Sequence, residues 1–176
     1  CQGNRTDQNR TQSVGQAKSI NPKWGKNMKI QDVYRAIDTF APFESAAGWD
    51  NSGLLVGDPE TEITKAYLCL DITPDTVRAA IANNCNLIIS HHPVIFGAIK
   101  TIRSDDYTGA LLLQLIENHI GVTSAHTNFD GADQGVNYHL AKLLGIENPI
   151  RLTLDPDNPS FIGLLPQAIS GSELCE

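Results

Sequence analysis

Two histidine-bearing segments hold most of the chemistry available to this chain. His91-His92-Pro93 closes the apolar run Leu87-Ile88-Ile89-Ser90, and His126-Thr127-Asn128-Phe129-Asp130 follows the next run, Gly121-Val122-Thr123-Ser124-Ala125. Short apolar runs separated by helical patterns mark buried parallel strands, and open α/β sheets place their ligands just past the carboxyl ends of such strands. The spacing therefore predicts that His91, His92, His126 and Asp130 converge at one sheet edge as a metal site. Imidazole and carboxylate donors suit zinc, iron, manganese, cobalt or nickel, and the absence of a cysteine cluster points away from a structural zinc staple and towards a catalytic site.

One or two divalent ions are expected. Neighbouring strand residues face opposite sides, so His91 and His92 can serve one site only if the strand ends there, as Pro93 suggests. If their rings then diverge, each can bind its own ion, Asp130 can ligate or bridge, and a water between two cations would serve as a hydroxide nucleophile near neutral pH. The competing reading is that these residues are only polar termini of strands or helices. His119 and His139, the remaining two of 5 histidines, fall in helical patterns and read as solvent-facing or packing residues. Asp71, at another strand end, reads either as a group that orients a ligand histidine or as a helix cap beside Thr73-Pro74. Trp49-Asp50-Asn51 reads as lining for the same cavity or as a structural loop. Neither a P-loop nor a GxGxxG phosphate cradle occurs.

The elements that must position these groups follow from periodicity. Ile30, Val33, Ile37 and Phe40 lie on one face of a helix that ends near Pro42. A glycine-containing loop, Gly48 to Gly57, feeds a short strand, and Ile63 to Ile72 reads as another. Thr73-Pro74 starts a helix running to about Asn83, Asn86 to Ser90 is a strand, and an irregular stretch reaches Arg103. A helix over Asp105 to Asn118, a strand over Gly121 to Ala125 and a helix from Gly135 to Leu144, stopped by Gly145, complete the pattern. The β-α-β-α-β-α order predicts an α/β fold, a mostly parallel sheet with helices on both faces.

Residues 1–27 are rich in Gln, Asn, Ser, Thr and Lys and are expected to be a disordered, non-native tail, because Met28 opens the first apolar pattern. Residues 28–150 form the expected metal-binding domain, and 151–176 the start of a second, truncated segment. The net charge of −7 divides into +4 for residues 1–27 and −11 for the remainder (8 basic, 19 acidic), which argues against a nucleic-acid partner. No apolar stretch approaches membrane-spanning length. Four cysteines without CxxC spacing read as free thiols in a reducing compartment, hence the cytoplasm.

Taken in order, Trp49-Asp50-Asn51-Ser52-Gly53-Leu54, Ser90-His91-His92-Pro93, and His126 to Asp130 followed by Gly135-Val136-Asn137 resemble the GTP cyclohydrolase I type 2 homologue family, the NIF-three-like proteins, over roughly residues 28–176. The resemblance implies a cytoplasmic α/β protein with a dinuclear metal centre, often assembled as a ring-shaped homohexamer. It places His91 and His92 on the two metals, Asp130 as a further ligand and His126 in or beside the set. The family's remaining ligands come from a His-x-x-x-Glu motif near the C-terminus, its glutamate bridging the metals, and this sequence contains no such motif. A single carboxylate poorly neutralises two divalent cations, so weak or mononuclear binding is expected of the chain as given. The family name implies hydrolytic opening of the guanine ring of GTP by a metal-activated water. A metal-dependent hydrolase of a small molecule is thus the leading expectation. The alternative is a non-catalytic metal-binding oligomeric scaffold or metallochaperone-like protein.

Overall fold

The computed structural model describes residues 27–152 and 161–167; the expected disordered tail lies outside the described residues except for Asn27, as does most of the expected second segment. Three of the four strands of the main sheet run parallel. β2 (Ala66–Cys69) pairs with β3 (Leu87–Ser90), and β3 pairs with β4 (Gly121–Ser124), so that Cys69, Ser90 and Ser124 lie side by side at the carboxyl edge. β1 (Gly53–Val56) lies antiparallel against β4, giving the order β1-β4-β3-β2. The sheet is mostly parallel, as the alternation of elements predicts.

Helices cover both faces because successive β3 side chains alternate. Leu87 packs on one side with Ile30, Val33 and Ile37 of α1 (Ile30–Phe40). Ile88 packs on the other with Val77 and Ala80 of α2 (Pro74–Ala82) and Leu111, Leu112 and Leu115 of α3 (Tyr107–Glu117). Burial on both faces is why this strand reads as a continuous apolar run rather than an alternating one. The apolar strand expected over Ile63 to Ile72 is shorter in the fold. β2 is the edge strand, and its Leu68, like Leu70 beyond it, is exposed.

The helix starts follow local chemistry. Asp106 accepts the Gly109 amide at 2.8 Å to begin α3. At α2, Thr73 accepts the Thr76 amide at 3.2 Å, Thr76 Oγ1 accepts the Thr73 amide at 2.7 Å, and Pro74 occupies the first turn. Thr73→Ala is expected to lower stability by about 1 kcal/mol in urea unfolding. A cost near zero would remove the cap from the account of α2.

Two features escaped the periodic patterns. The four residues after β4 form a single helical turn, α4 (Thr127–Asp130). Beyond α5 (Val136–Leu143), which Gly145 terminates in a left-handed conformation at φ +75°, β5 (Glu147–Arg151) and β6 (Phe161–Leu164) form a separate antiparallel pair.

Candidate metal centre

The carboxyl ends of β3 and β4 are tied together by a buried pair of hydroxyls. Ser90 Oγ and Ser124 Oγ are 2.7 Å apart, and Ser90 Oγ donates to the His92 carbonyl at 2.9 Å. The His91 and His92 amides donate to the Cys69 and Leu70 carbonyls at 3.2 and 2.9 Å, turning the chain across the end of β2. The pleat is broken where Pro93 follows, and both rings reach one side. Their centroids are 4.9 Å apart, and His126 arrives from the end of β4 with its ring 5.1 Å from His91 and 5.5 Å from His92.

Each imidazole is oriented by an acceptor at Nδ1. His91 Nδ1 donates to the Ala125 carbonyl at 2.9 Å, His92 Nδ1 to Asp71 Oδ1 at 2.6 Å, and His126 Nδ1 to Asp50 Oδ1 at 2.9 Å. An oxygen facing Nδ1 holds the proton there and leaves the Nε2 lone pair free, the arrangement used by histidines that bind metals. One nitrogen from each ring lies within 4.8 Å of the others, so the cluster could hold a metal ion. Asp130, on α4, brings its carboxylate to 3.5 Å from His91 Nε2. The nitrogen and oxygen donors fit a borderline divalent cation. His119 is exposed at the end of α3 and His139 is exposed on α5 beside Tyr138, both outside the cluster.

The group beneath His126 is the most constrained in the site. The Asp50 side chain is 0% exposed. Its Oδ1 accepts from the Asn51 amide at 2.7 Å as well as from His126, while Oδ2 accepts from Ser52 Oγ at 2.8 Å and from the Thr127 amide and hydroxyl at 3.1 and 2.5 Å. Burial alone would raise this carboxyl. The hydrogen bonds from Thr127, His126, Ser52 and the Asn51 amide outweigh it and hold the pKa at about 2. Sequence reasoning placed Asp50 near the cavity without finding its partner. For Asp71, the structure assigns the orienting role, and the capping role falls to Thr73.

Beside the histidines, Trp49 and Phe96 form an aromatic rim, their rings 5.9 Å apart and 6.2 and 6.3 Å from His126. Phe96 and Asp50 also line a cleft of about 850 Å³ bounded by the loop from Ile95 to Ile102, which Asn51 Nδ2 ties down by donating to the Ile95 carbonyl at 2.7 Å. Cys69 and Cys85 are free thiols; burial pushes the Cys69 thiol up to about 12, which keeps it protonated and inert.

Fold and site together define a class: an α/β protein whose parallel strands deliver a three-histidine cluster competent to hold a metal ion. The model of the Duf34/NIF3 (NGG1p interacting factor 3) family matches residues 28–176, and the chain belongs to that family. A Staphylococcus epidermidis relative named GTP cyclohydrolase 1 type 2 homolog is 43% identical over 121 residues, covering 69% of this chain and 33% of its own length. The chain thus spans about a third of the length of the curated relatives it matches. The crystal structure of Staphylococcus aureus protein SA1388 superposes with a TM-score of 0.69 at 39% identity, over 73% of this chain and 36% of that one. Reduced HcgD from Methanocaldococcus jannaschii gives a TM-score of 0.66 at 36% identity, over 72% and 51%. No helix among the described residues is long and apolar enough to cross a membrane.

Proposed function

We propose that this chain carries the metal centre of a metal-dependent hydrolase, with His91, His92, His126 and Asp130 holding one or two divalent cations. The observation that supports it is the set of three imidazoles, each with an acceptor at Nδ1, whose rings meet with the Asp130 carboxylate 3.5 Å from His91 Nε2; Asp50 and Phe96, which contact His126, also line the neighbouring cleft. A divalent cation bound there would lower the pKa of a coordinated water far below its bulk value, towards about 7, and so supply a nucleophile at neutral pH. The chain's own residues hold the rings in register: Asp50 and Asp71 fix two tautomers, and the Ala125 carbonyl fixes the third. The cleft receives the substrate, and the name of the curated relatives makes GTP the first candidate.

A homo-oligomer in a reducing cytoplasm belongs to the same reading, which the free thiols of Cys69 and Cys85 support. A non-catalytic scaffold is the second reading. It is favoured by the single carboxylate, Asp130, facing the cluster, because one negative charge leaves two divalent cations poorly neutralised.

Elemental analysis of protein purified without added metal tests the ligand set. Asp130→Ala is expected to lose at least about half of the bound metal relative to wild type, and His139→Ala to lose none, since only the first touches the cluster. Equal metal content in the two variants would remove Asp130 from the set. Absence of metal-dependent opening of the guanine ring of GTP by the metal-loaded wild type would return the scaffold to first place.

A further inference from the structure

Among the described residues, the Arg151 cation has no acid placed against it. The other described arginines all pair with acids: Arg35 with Asp32, Arg78 with Asp75 and Arg103 with Asp105. The Arg151 side chain has no ion pair or hydrogen bond among the described residues, and its Nε is buried without a partner. A guanidinium left without an acceptor is costly, and the half-buried Arg151 side chain keeps donors other than Nε for one that the described residues do not provide.

The guanidinium lies against Gly131, the residue after Asp130. A Cβ built on Gly131 would fall 2.9 Å from one terminal nitrogen of Arg151 and 3.3 Å from its Cζ, so the absence of a side chain at 131 is what admits the group. An arginine laid on the last turn of a helix ordinarily donates to its free carbonyls. Here the Arg151 side chain makes no such bond, and four of the carbonyls already have donors. The His126 carbonyl accepts from the Phe129 and Asp130 amides at 2.9 and 3.0 Å, Thr127 from the Gly131 amide at 3.1 Å, Phe129 from the Ala132 amide at 3.4 Å, and Asp130 from Asn137 Nδ2 at 3.2 Å. Capping therefore does not account for the position of Arg151. Asp130, the residue before Gly131, faces His91 Nε2 at 3.5 Å, so the glycine that the guanidinium lies against adjoins a candidate metal ligand in the chain.

We infer that Arg151, admitted by Gly131, is a binding subsite for a small oxyanion, a phosphate or carboxylate group of a ligand, beside the three-histidine cluster. The planar fork of the guanidinium matches either group bidentately, and among residues 28–176, of net charge −11, an arginine with no ion pair among the described residues is an attractive point for an anion. The inference rests on the metal-centre reading only for what the rest of the ligand reaches, not for the anion contact itself.

Calorimetric titration of the whole chain, stripped of metal, with inorganic phosphate and separately with acetate tests it. Wild type is expected to bind at least one of the two saturably, and the preferred one names the group. Arg151→Gln is expected to weaken that binding at least tenfold with an unchanged melting temperature, and Arg151→Lys, which keeps the charge but loses the fork, to fall between. Equal affinity in wild type and Arg151→Gln would overturn the subsite, and so would an absence of saturable binding by wild type. Because the titration is done without metal, a failed ligand assignment for Asp130 would appear in the metal analysis and leave this result untouched.

Discussion

Asp50→Asn is expected to cost the chain both metal affinity and stability, more than any other single change at the site. Two donors converge on Oδ1 and three on Oδ2, in a side chain with no exposure. An asparagine must turn its NH2 towards one of these sets, and donor then meets donor where no water can intervene. Breaking a buried charged network by removing one partner costs about 3–5 kcal/mol. The loss of the acceptor that orients His126 Nδ1 lowers metal affinity by roughly 10–100-fold.

The same residue gives an acid signature. Its carboxyl falls from 3.8 to about 2 on folding, so it contributes stability that is fully present above pH 3.8 and is lost as the pH falls through about 2. The size of that contribution is about 2 kcal/mol. Urea unfolding of the metal-stripped chain between pH 6 and 2 should therefore show a steeper acid loss in wild type than in Asp50→Asn. Metal content and stability equal to wild type in the variant would mean that His126 is positioned without Asp50.

The difference between what could and could not be read from the sequence follows from range. The ends of β3 and β4 were legible because an apolar run ending in polar residues is a local signal, and Pro93 explains locally how His91 and His92 come to share a side. The acceptor beneath His126 lies 76 residues away in the chain, and no spacing rule connects Asp50 to it. The direction of β1 was equally hidden: a four-residue apolar strand has the same composition whether its neighbour runs parallel or antiparallel, and only the pairing of Gly53 with Ser124 decides. β5 contradicts its own local signals, since Asn148 is left-handed at φ +47° and Pro149 cannot donate to a ladder. Pairing with β6, whose register shifts between Glu147 and Ile150, overrides them. α4 is too short to produce a helical period, yet it carries Asp130.

That dependence on α4 makes Gly135→Ala the second large effect. Gly135 begins α5 with φ −86°, a conformation open to any residue, so the torsion angle is not the obstacle. Space is the obstacle: a Cβ there would lie 1.7 Å from the Phe129 carbonyl oxygen and 3.1 Å from that of Ala132. Both are backbone atoms and cannot rotate away, and the Gly135 amide itself closes the turn by donating to the Ala132 carbonyl at 2.9 Å. An alanine must push α4 and the start of α5 apart, disturbing Phe129, whose ring packs edge-on against Phe40 at 5.9 Å, and Asp130 beside it. Overpacking of this kind costs about 3 kcal/mol. The expected result is a large drop in unfolding free energy with a parallel fall in metal content. Gly48→Ala is the control, since nothing lies within 4 Å of a Cβ at that position, and it should leave both quantities unchanged. If Gly135→Ala lowers stability but retains full metal, Asp130 is held by its own coordination rather than by the turn behind it.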